Sequence, residues 1–358
     1  MQSVNGLKQP LLGIAATAIS IALALGFSVQ FAPTVFGSWV GQLIMSAIPL
    51  QIIVGMVWES KFPGFLADRK QPVKGLAVLG LLAVGAAIVT PATMASIGGG
   101  MAPPTPFVIM FTILSVCITF WMVVVLQCWP AKVLSAHPAA VGLGTWVLSY
   151  GVSWVIFHTT FDFSAMQGAP FYRADLDPHG LFPAWNALAF VVTSLAVVMW
   201  LVMLDFWPST AIVKAIPSLG NQPMFGVLSA VVALALTAVV WVLCVRVVGM
   251  DVVDYLVRVP VSALFGEFIM LVMMQTAPFQ AVRQPLKGLI LLPVVAVLAV
   301  ITHKLYQVVA LALVGPMASG APTYGLDLWI ATAMLAVTFP LFVAYATGFG
   351  FWPLAGRD

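Results

Sequence analysis

The carboxylate of Glu267 is the group in this sequence whose surroundings most need a chemical explanation. It lies in the stretch VSALFGEFIMLVMMQ (261–275), which contains no other charged residue. An ionised, unpaired carboxylate at the centre of a lipid bilayer costs at least about 3 kcal/mol, so Glu267 should face protein or water, be paired, or be protonated. One interpretation is proton or cation coupling. The other is a neutral glutamic acid that hydrogen-bonds a neighbouring helix, which the small Gly266 could bring close.

A second set of polar residues shares one position near the ends of apolar runs. Each lies three or four residues before a proline that ends such a run, and the set consists of Glu59, Gln127, Asp205 and Gln275. If the runs surround a common centre, these side chains would form a ring of hydrogen-bond acceptors at a vestibule. The alternative is ordinary polarity at the membrane interface, where tryptophan is also frequent.

Histidine and aspartate are concentrated in one polar segment, residues 158–185. His158 and Asp162 are four residues apart, as are Asp175 and His179, so short helical turns could present His/Asp pairs to copper or zinc. His303 lies in a later apolar run and is the remaining candidate ligand. No HExxH or CxxC motif accompanies them, and the three cysteines fit small core residues better than a metal site. The alternative is a solvated loop, and the sequence identifies no cofactor.

The elements that must position these groups are membrane-spanning helices. Only 7% of the 358 residues are charged, against roughly 25% in soluble domains, while 62% are hydrophobic and the mean hydropathy is +1.10. Runs of about 20 apolar residues, each sufficient to cross a bilayer as a helix, predict an all-α, polytopic transmembrane bundle. The ten predicted spans are 11–28, 36–58, 75–97, 106–128, 139–158, 184–206, 224–248, 259–276, 286–314 and 327–350.

A recurring Gln-Pro-x-x-Gly phrase divides these spans into pairs. Copies begin at Gln9, Gln71, Gln222 and Gln284, a degenerate copy begins at His137, and Trp352–Gly356 resembles a remnant. Proline suits the first turn of a helix, so we interpret the phrase as a helix start at the membrane surface rather than as a ligand loop. The pattern predicts one integral membrane domain over 1–358, built as five two-helix hairpins of parallel topology: 9–63, 71–130, 137–208, 222–278 and 284–353.

The distribution of Lys and Arg predicts the orientation of the bundle. Ten cations lie on the side of the Gln-Pro-x-x-Gly turns, whereas the opposite side and its flanks carry Arg173, Arg246, Arg258 and Lys304. Because cytoplasmic loops are enriched in Lys and Arg, both termini and all these turns should be cytoplasmic, with 158–185 outside. The expected location is a bacterial cytoplasmic (inner) membrane.

Three classes of function remain open. A transporter or permease for a small neutral or weakly charged solute, proton- or cation-coupled through Glu267, fits the duplicated bundle. A membrane subunit of a larger complex fits the scarcity of polar residues, and a membrane-embedded metal-dependent enzyme would use segment 158–185 with His303. Walker loops, nucleophile elbows and dinucleotide fingerprints are missing. The expected partners are the lipid bilayer, a small-molecule substrate and further copies or other subunits, but not nucleic acid.

Overall fold

Ten helices are long and apolar enough to cross a membrane in the computed structural model, which describes residues 6–355. The predicted number of spans is therefore confirmed, and the protein is an all-α membrane bundle. Gly356, the last residue of the repeat remnant, and Arg357, one of the ten cations on the side of the turns, lie outside the described residues. The helices are α1 Leu11–Ser28, α2 Pro33–Val57, α3 Val73–Ser96, α4 Pro106–Val125, α5 Pro138–Thr160, α6 Ala184–Met203, α7 Met224–Val247, α8 Val252–Met273, α9 Leu286–Val314 and α10 Gly325–Gly348.

The even-numbered helices form a closed inner ring. Each packs against two others, in the order α2, α4, α6, α8, α10 and back to α2. In one 18-residue stretch of each, between 61 and 72% of the residues are buried, against 17 to 39% in the odd-numbered helices. Hydropathy does not distinguish the two groups, because the outer helices face lipid where the inner ones face protein.

The odd-numbered helices lie outside the ring, each over the seam between two inner helices. Helix α3 packs on α2 and α10, α5 on α4 and α2, and α7 on α6 and α4, while α9 packs on α8 and α6 and α1 on α10 and α8. An outer helix thus packs mainly against inner helices other than the one that follows it in the chain. This arrangement interlocks segments that are distant in sequence.

The connections define two faces of the bundle. The elbow face carries the Gln-Pro-x-x-Gly turns, and the loop face carries residues 161–183. On the loop face two short strands, β1 Phe161–Asp162 and β2 Phe182–Pro183, pair in parallel. On the elbow face the Leu7 N–H donates to the Leu354 carbonyl at 2.8 Å, which places both ends of the described chain together.

Helix α8 begins seven residues before the start that the sequence predicts. Asp251 caps it by accepting hydrogen bonds from the Val253 and Asp254 amides at 2.9 and 3.1 Å. Asp254 then pairs with Arg258 one turn later, at 2.6 Å. These charges, which precede the predicted start of the span, therefore belong to the first turns of the helix, where a cap and an i,i+4 pair accommodate them.

Four inner helices end with the same backbone geometry. In α2, α4, α8 and α10 the last turn is a π-helical turn. Two residues in the left-handed region follow in each case, as they also do after α6. The second of the two amides, for example that of Ser60, donates back to a carbonyl of the preceding turn, which closes the helix end.

Candidate functional site

The inner ring encloses a cavity of about 620 Å³ that opens toward the loop face. All five inner helices line it, together with Pro103 and Phe171 from the loops, whereas the described part of the odd-numbered helices contributes no lining residue. The walls are aliphatic and sulfur-containing side chains, among them Met45, Ile48, Ile113, Cys117, Leu188, Val192, Val261, Leu264, Leu335 and Ala336. The centre of the bundle is therefore where a solute could be held.

Three phenyl rings form the floor of the cavity, and we call Phe120, Phe268 and Phe339 the phenylalanine triad. Each is the lining residue nearest the elbow face in its helix, α4, α8 and α10 respectively. Phe268 and Phe339 stack with centroids 4.0 Å apart, and Phe120 lies 5.9 and 6.0 Å from them. All three are at least 95% buried. Constrictions of this kind block ions and water because the passage is unfavourable to wet.

The lining of the cavity offers no charge to a solute. Its side-chain hydroxyls belong to Thr34, Ser38 and Thr332. Ser38 donates to the Thr34 carbonyl at 2.6 Å, and Thr332 donates to the Leu328 carbonyl at 2.8 Å. The lining carries no charged side chain, and the hydroxyl protons of Ser38 and Thr332 are used within their helices. An ion entering the cavity would therefore lose water without gaining a charged partner.

The loop between α5 and α6 covers part of the cavity mouth. Phe171 reaches the lining, and Phe163 packs on Phe107 of α4 with centroids 4.3 Å apart. The loop is organised by the fully buried side chain of Asp177. Its Oδ1 accepts hydrogen bonds from the Phe163 and His179 amides at 3.1 and 3.0 Å, and its Oδ2 accepts one from the Tyr172 hydroxyl at 3.0 Å.

Three acidic and imidazole groups of this loop converge. Ligand atoms of Asp162, Asp177 and His179 lie within 4.8 Å of one another. Asp162 Oδ1 accepts from the Ser164 hydroxyl and amide, and these hydrogen bonds hold the pKa of Asp162 below its usual value. His179 Nδ1 lies 3.3 Å from Ser164 Oγ. The donor set could bind a cation, but both carboxylates already have hydrogen-bond partners that organise the loop.

The other candidate ligands lie elsewhere. His158 Nδ1 is 2.9 Å from the Trp154 carbonyl, and its ring packs on that indole. Asp175 pairs with Arg173, which lowers the pKa of that carboxyl. His303 is buried in α9, where Nδ1 lies 3.2 Å from Ser262 Oγ of α8. Asp177 has no histidine four residues away in the sequence, so the search for His/Asp pairs did not select it as a ligand.

Glu267 lies in the inner ring, next in sequence to Phe268 of the triad. Its side chain is 3% exposed, and none of the described residues forms a hydrogen bond or ion pair with it. It is not among the residues that line the cavity. At Gly266 the helices α8 and α9 approach so closely that a Cβ would lie 2.7 Å from the Val295 carbonyl oxygen. Close approach of the two helices accounts for the glycine.

The four residues of the expected polar ring occupy equivalent positions. Glu59, Gln127, Asp205 and Gln275 are each the first left-handed residue after an inner helix, with φ between 49° and 52°. Their side chains are exposed on the elbow face and do not line the cavity. Glu59 pairs with Lys61 at 2.5 Å, which lowers the pKa of Glu59. The backbone geometry explains the residue types in part, since polar residues tolerate the left-handed region better than branched apolar ones.

The Gln-Pro-x-x-Gly phrases fasten outer helices to inner ones. In four copies the glutamine Nε2 donates to a backbone carbonyl at the end of an inner helix: Gln9 to Met273, Gln71 to Gly348, Gln222 to Val125 and Gln284 to Met203, at 2.7 to 3.0 Å. In the degenerate copy Trp58 Nε1 instead donates to the Pro138 carbonyl at 2.8 Å. We call these contacts the clasps.

The glycine of each phrase permits the same close approach. A Cβ added at the glycine would lie 2.2 to 2.7 Å from an atom of the residue at the inner helix end. The five pairs are Gly13 with Met273, Gly75 with Phe349, Gly142 with Trp58, Gly226 with Leu126, and Gly288 with Leu204. The phrase is thus a packing motif as well as a helix start, a role that the sequence alone did not indicate.

The phenylalanine triad was not predicted, although part of it has a sequence signal. Phe120 and Phe268 each lie seven residues before a polar residue of the expected ring, Gln127 and Gln275. Phe339 does not share that register. The chain contains 23 phenylalanines, so a seven-residue spacing shared by two of them is too weak a signal to identify the triad from the sequence.

Comparison of this chain with protein-family models, with curated proteins and with solved structures finds no match.

Proposed function

We propose that the protein is a permease for a small neutral or weakly charged solute, with its pathway along the axis of the inner ring. The observation that carries this proposal is the cavity, which is lined by all five inner helices and closed toward the elbow face by the phenylalanine triad. A central compartment open to one side and shut at the other is what alternating or gated passage requires.

The pathway is formed by five like units of parallel topology. Support comes from the clasps and from the five glycine contacts, which repeat once per predicted hairpin. Gly350, exposed and in the left-handed region, follows α10 where the other four units carry the polar residues. The polar ring then borders the elbow-face vestibule rather than the cavity itself.

Glu267 couples passage to a proton or cation. The support is its burial, the lack of a hydrogen-bond or ion-pair partner among the described residues, and its position beside Phe268. A carboxylate in such surroundings is costly when charged, so loading it with a proton or a cation would favour a different packing of α8 and its triad residue. Because coupling would act through the packing of α8, the cavity wall itself needs no ionisable side chain.

The elbow face is cytoplasmic. The basic residues of the Gln-Pro-x-x-Gly side support this orientation through the positive-inside rule. An impermeant maleimide should then label Lys70→Cys and Arg283→Cys only in inside-out vesicles. Labelling of these two positions from different sides would disprove the hairpin topology.

Thiol accessibility along α8 tests the pathway. In a chain whose native cysteines are replaced by alanine, N-ethylmaleimide should react with Val261→Cys, which lines the cavity. Val295→Cys, buried between helices, is the unreactive control. An unreactive Val261→Cys would contradict the proposal.

A membrane subunit is the second candidate, because α7 has an unusually open surface. Only 17% of its residues are buried, against 33 to 39% in the other outer helices. Native mass after mild detergent extraction distinguishes the two functions, since a subunit would carry a different protein at fixed stoichiometry.

A metal-dependent enzyme finds support in Asp162, Asp177 and His179, and stoichiometric copper, zinc or iron in purified protein would favour it over the permease.

A further inference from the structure

We infer that the solute of the central cavity is an uncharged, mainly apolar molecule with aromatic or fused-ring character. This inference rests on the proposed function for the transport step, but it concerns the chemistry of the cavity itself. It narrows the class of neutral or weakly charged solutes to one that the lining can bind.

The absence of charge in the lining is the first reason. Every lining side chain is uncharged, and two of its three hydroxyls donate to carbonyls of their own helices. An apolar cavity binds apolar molecules and stays dry in their absence. A charged or sugar-like solute would leave its hydration shell and find few replacements for those hydrogen bonds.

The placement of aromatic rings is the second reason. Phe171, Trp185 and Trp329 lie toward the mouth, and the phenylalanine triad forms the floor. Between them the wall consists of aliphatic and sulfur-containing side chains. Aromatic rings favour offset-stacked or edge-on contacts with other rings, worth about 0.5–1.5 kcal/mol beyond the area they bury. A flat apolar solute can therefore contact rings at both ends of the cavity.

The size of the cavity is the third reason. A volume of about 620 Å³ is far more than a gas molecule or a single small metabolite fills. It falls within the roughly 300–1,000 Å³ typical of sites for drug-sized ligands. The occupant is thus a compact molecule with a few rings and not a complete membrane lipid.

Two fluorescent probes that share a skeleton test the inference. N-phenyl-1-naphthylamine is neutral, and 8-anilino-1-naphthalenesulfonate is the same skeleton with a sulfonate. Binding is measured by energy transfer from protein tryptophan in nanodiscs of fixed composition. We expect saturable binding of the neutral probe and more than about tenfold weaker binding of the anion, because the cavity cannot pair its charge.

Cavity-filling variants separate this site from lipid partitioning. Val192→Phe and Val261→Phe both place a ring in the cavity from different helices, and each should weaken binding of the neutral probe at least several-fold. Val231→Phe, the same substitution on the exposed face of α7, should leave it unchanged. The melting temperature of each variant shows whether it is folded. Two cavity-filling variants are used so that the test still works if one of them does not fold.

The inference would be overturned if the anion bound as tightly as the neutral probe and if Val192→Phe and Val261→Phe also abolished that binding. It would also be overturned if neither variant reduced binding of the neutral probe. These outcomes are independent of the thiol-accessibility test. If Val261→Cys is unreactive but the neutral probe binds, the pathway is wrong and the cavity chemistry stands; the converse result rejects only the solute class.

Discussion

Phe268 and Phe339 stack at 4.0 Å between centroids, although they come from two different inner helices. Their rings are nearly parallel, with an interplanar angle of 25°. With Phe120 they close the cavity at the level where its lining ends. The contact links α8 to α10, so a shift of either helix would change the packing of the cavity floor.

Removing one ring of the triad should open the cavity floor. We expect Phe268→Ala to raise the permeability of proteoliposomes to a small uncharged, weakly polar solute such as 1,2-butanediol, measured by stopped-flow light scattering. Phe→Ala at a buried site costs about 3–5 kcal/mol, so the milder Phe268→Leu serves as a second variant that should show a smaller increase. Phe27→Ala, on the exposed face of α1, is the control. Unchanged permeability in both folded variants would show that the triad is not the barrier.

Neutralising Glu267 should remove proton movement without unfolding the bundle. Glutamine preserves the size of the side chain, and the carboxylate has no hydrogen bond among the described residues for the substitution to break. We expect Glu267→Gln to keep its melting temperature and to abolish protein-dependent proton flux in pyranine-loaded proteoliposomes. Glu59→Gln, exposed on the elbow face, should retain the flux. Flux that survives in Glu267→Gln would exclude this residue as the proton carrier.

Two glycines of α3 should respond oppositely to alanine. A Cβ at Gly75 would lie 2.3 Å from the Phe349 ring, whereas a Cβ at Gly80 meets nothing within 4 Å. Gly75→Ala should destabilise the protein by about 1–3 kcal/mol through overpacking. Gly80→Ala should be neutral or stabilise it by up to about 1 kcal/mol through helix propensity. Melting temperatures in one detergent measure both, and equal values would show that the clasp contact is not tight.

Asp177 should determine the order of the loop over the cavity mouth. Asp177→Ala leaves the Phe163 and His179 amides without their acceptor, at a cost of about 1–3 kcal/mol for each buried group that water cannot reach. We expect faster hydrogen exchange at these two amides and faster proteolysis of the loop. Asp175→Ala, which removes only an exposed pair with Arg173, is the matched control. Equal exchange in both variants would contradict the role given to Asp177.

The number of helices and most of their limits followed from the sequence because apolar runs long enough to span a bilayer are rare by chance. The helix starts predicted from the Gln-Pro-x-x-Gly phrase were also confirmed. A helix begins directly after Pro10, Pro72, Pro223 and Pro285. The start of α8 was missed because hydropathy penalises Asp254 and Arg258 one by one, while the folded chain pairs them.

The division into inner and outer helices could not be predicted from composition. In soluble proteins a polar face marks the surface, but here the surface of α7 faces lipid and is as apolar as the cavity wall on α8. The convergence of Asp162, Asp177 and His179 was equally hidden. It depends on the turn at His179, whose backbone is left-handed with φ of 50°, and not on helical spacing.

The packing of α1 against both α8 and α10 affects how the protein is assembled during biosynthesis. Helix α1 docks on α8 and α10, which are synthesised long after it, so it must wait in the lipid until those helices have been inserted. Gly13 and Gln9 have no docking partner before that moment. Chains released before α8 should therefore expose an unoccupied helix surface, which is a feature that membrane quality-control proteases can recognise.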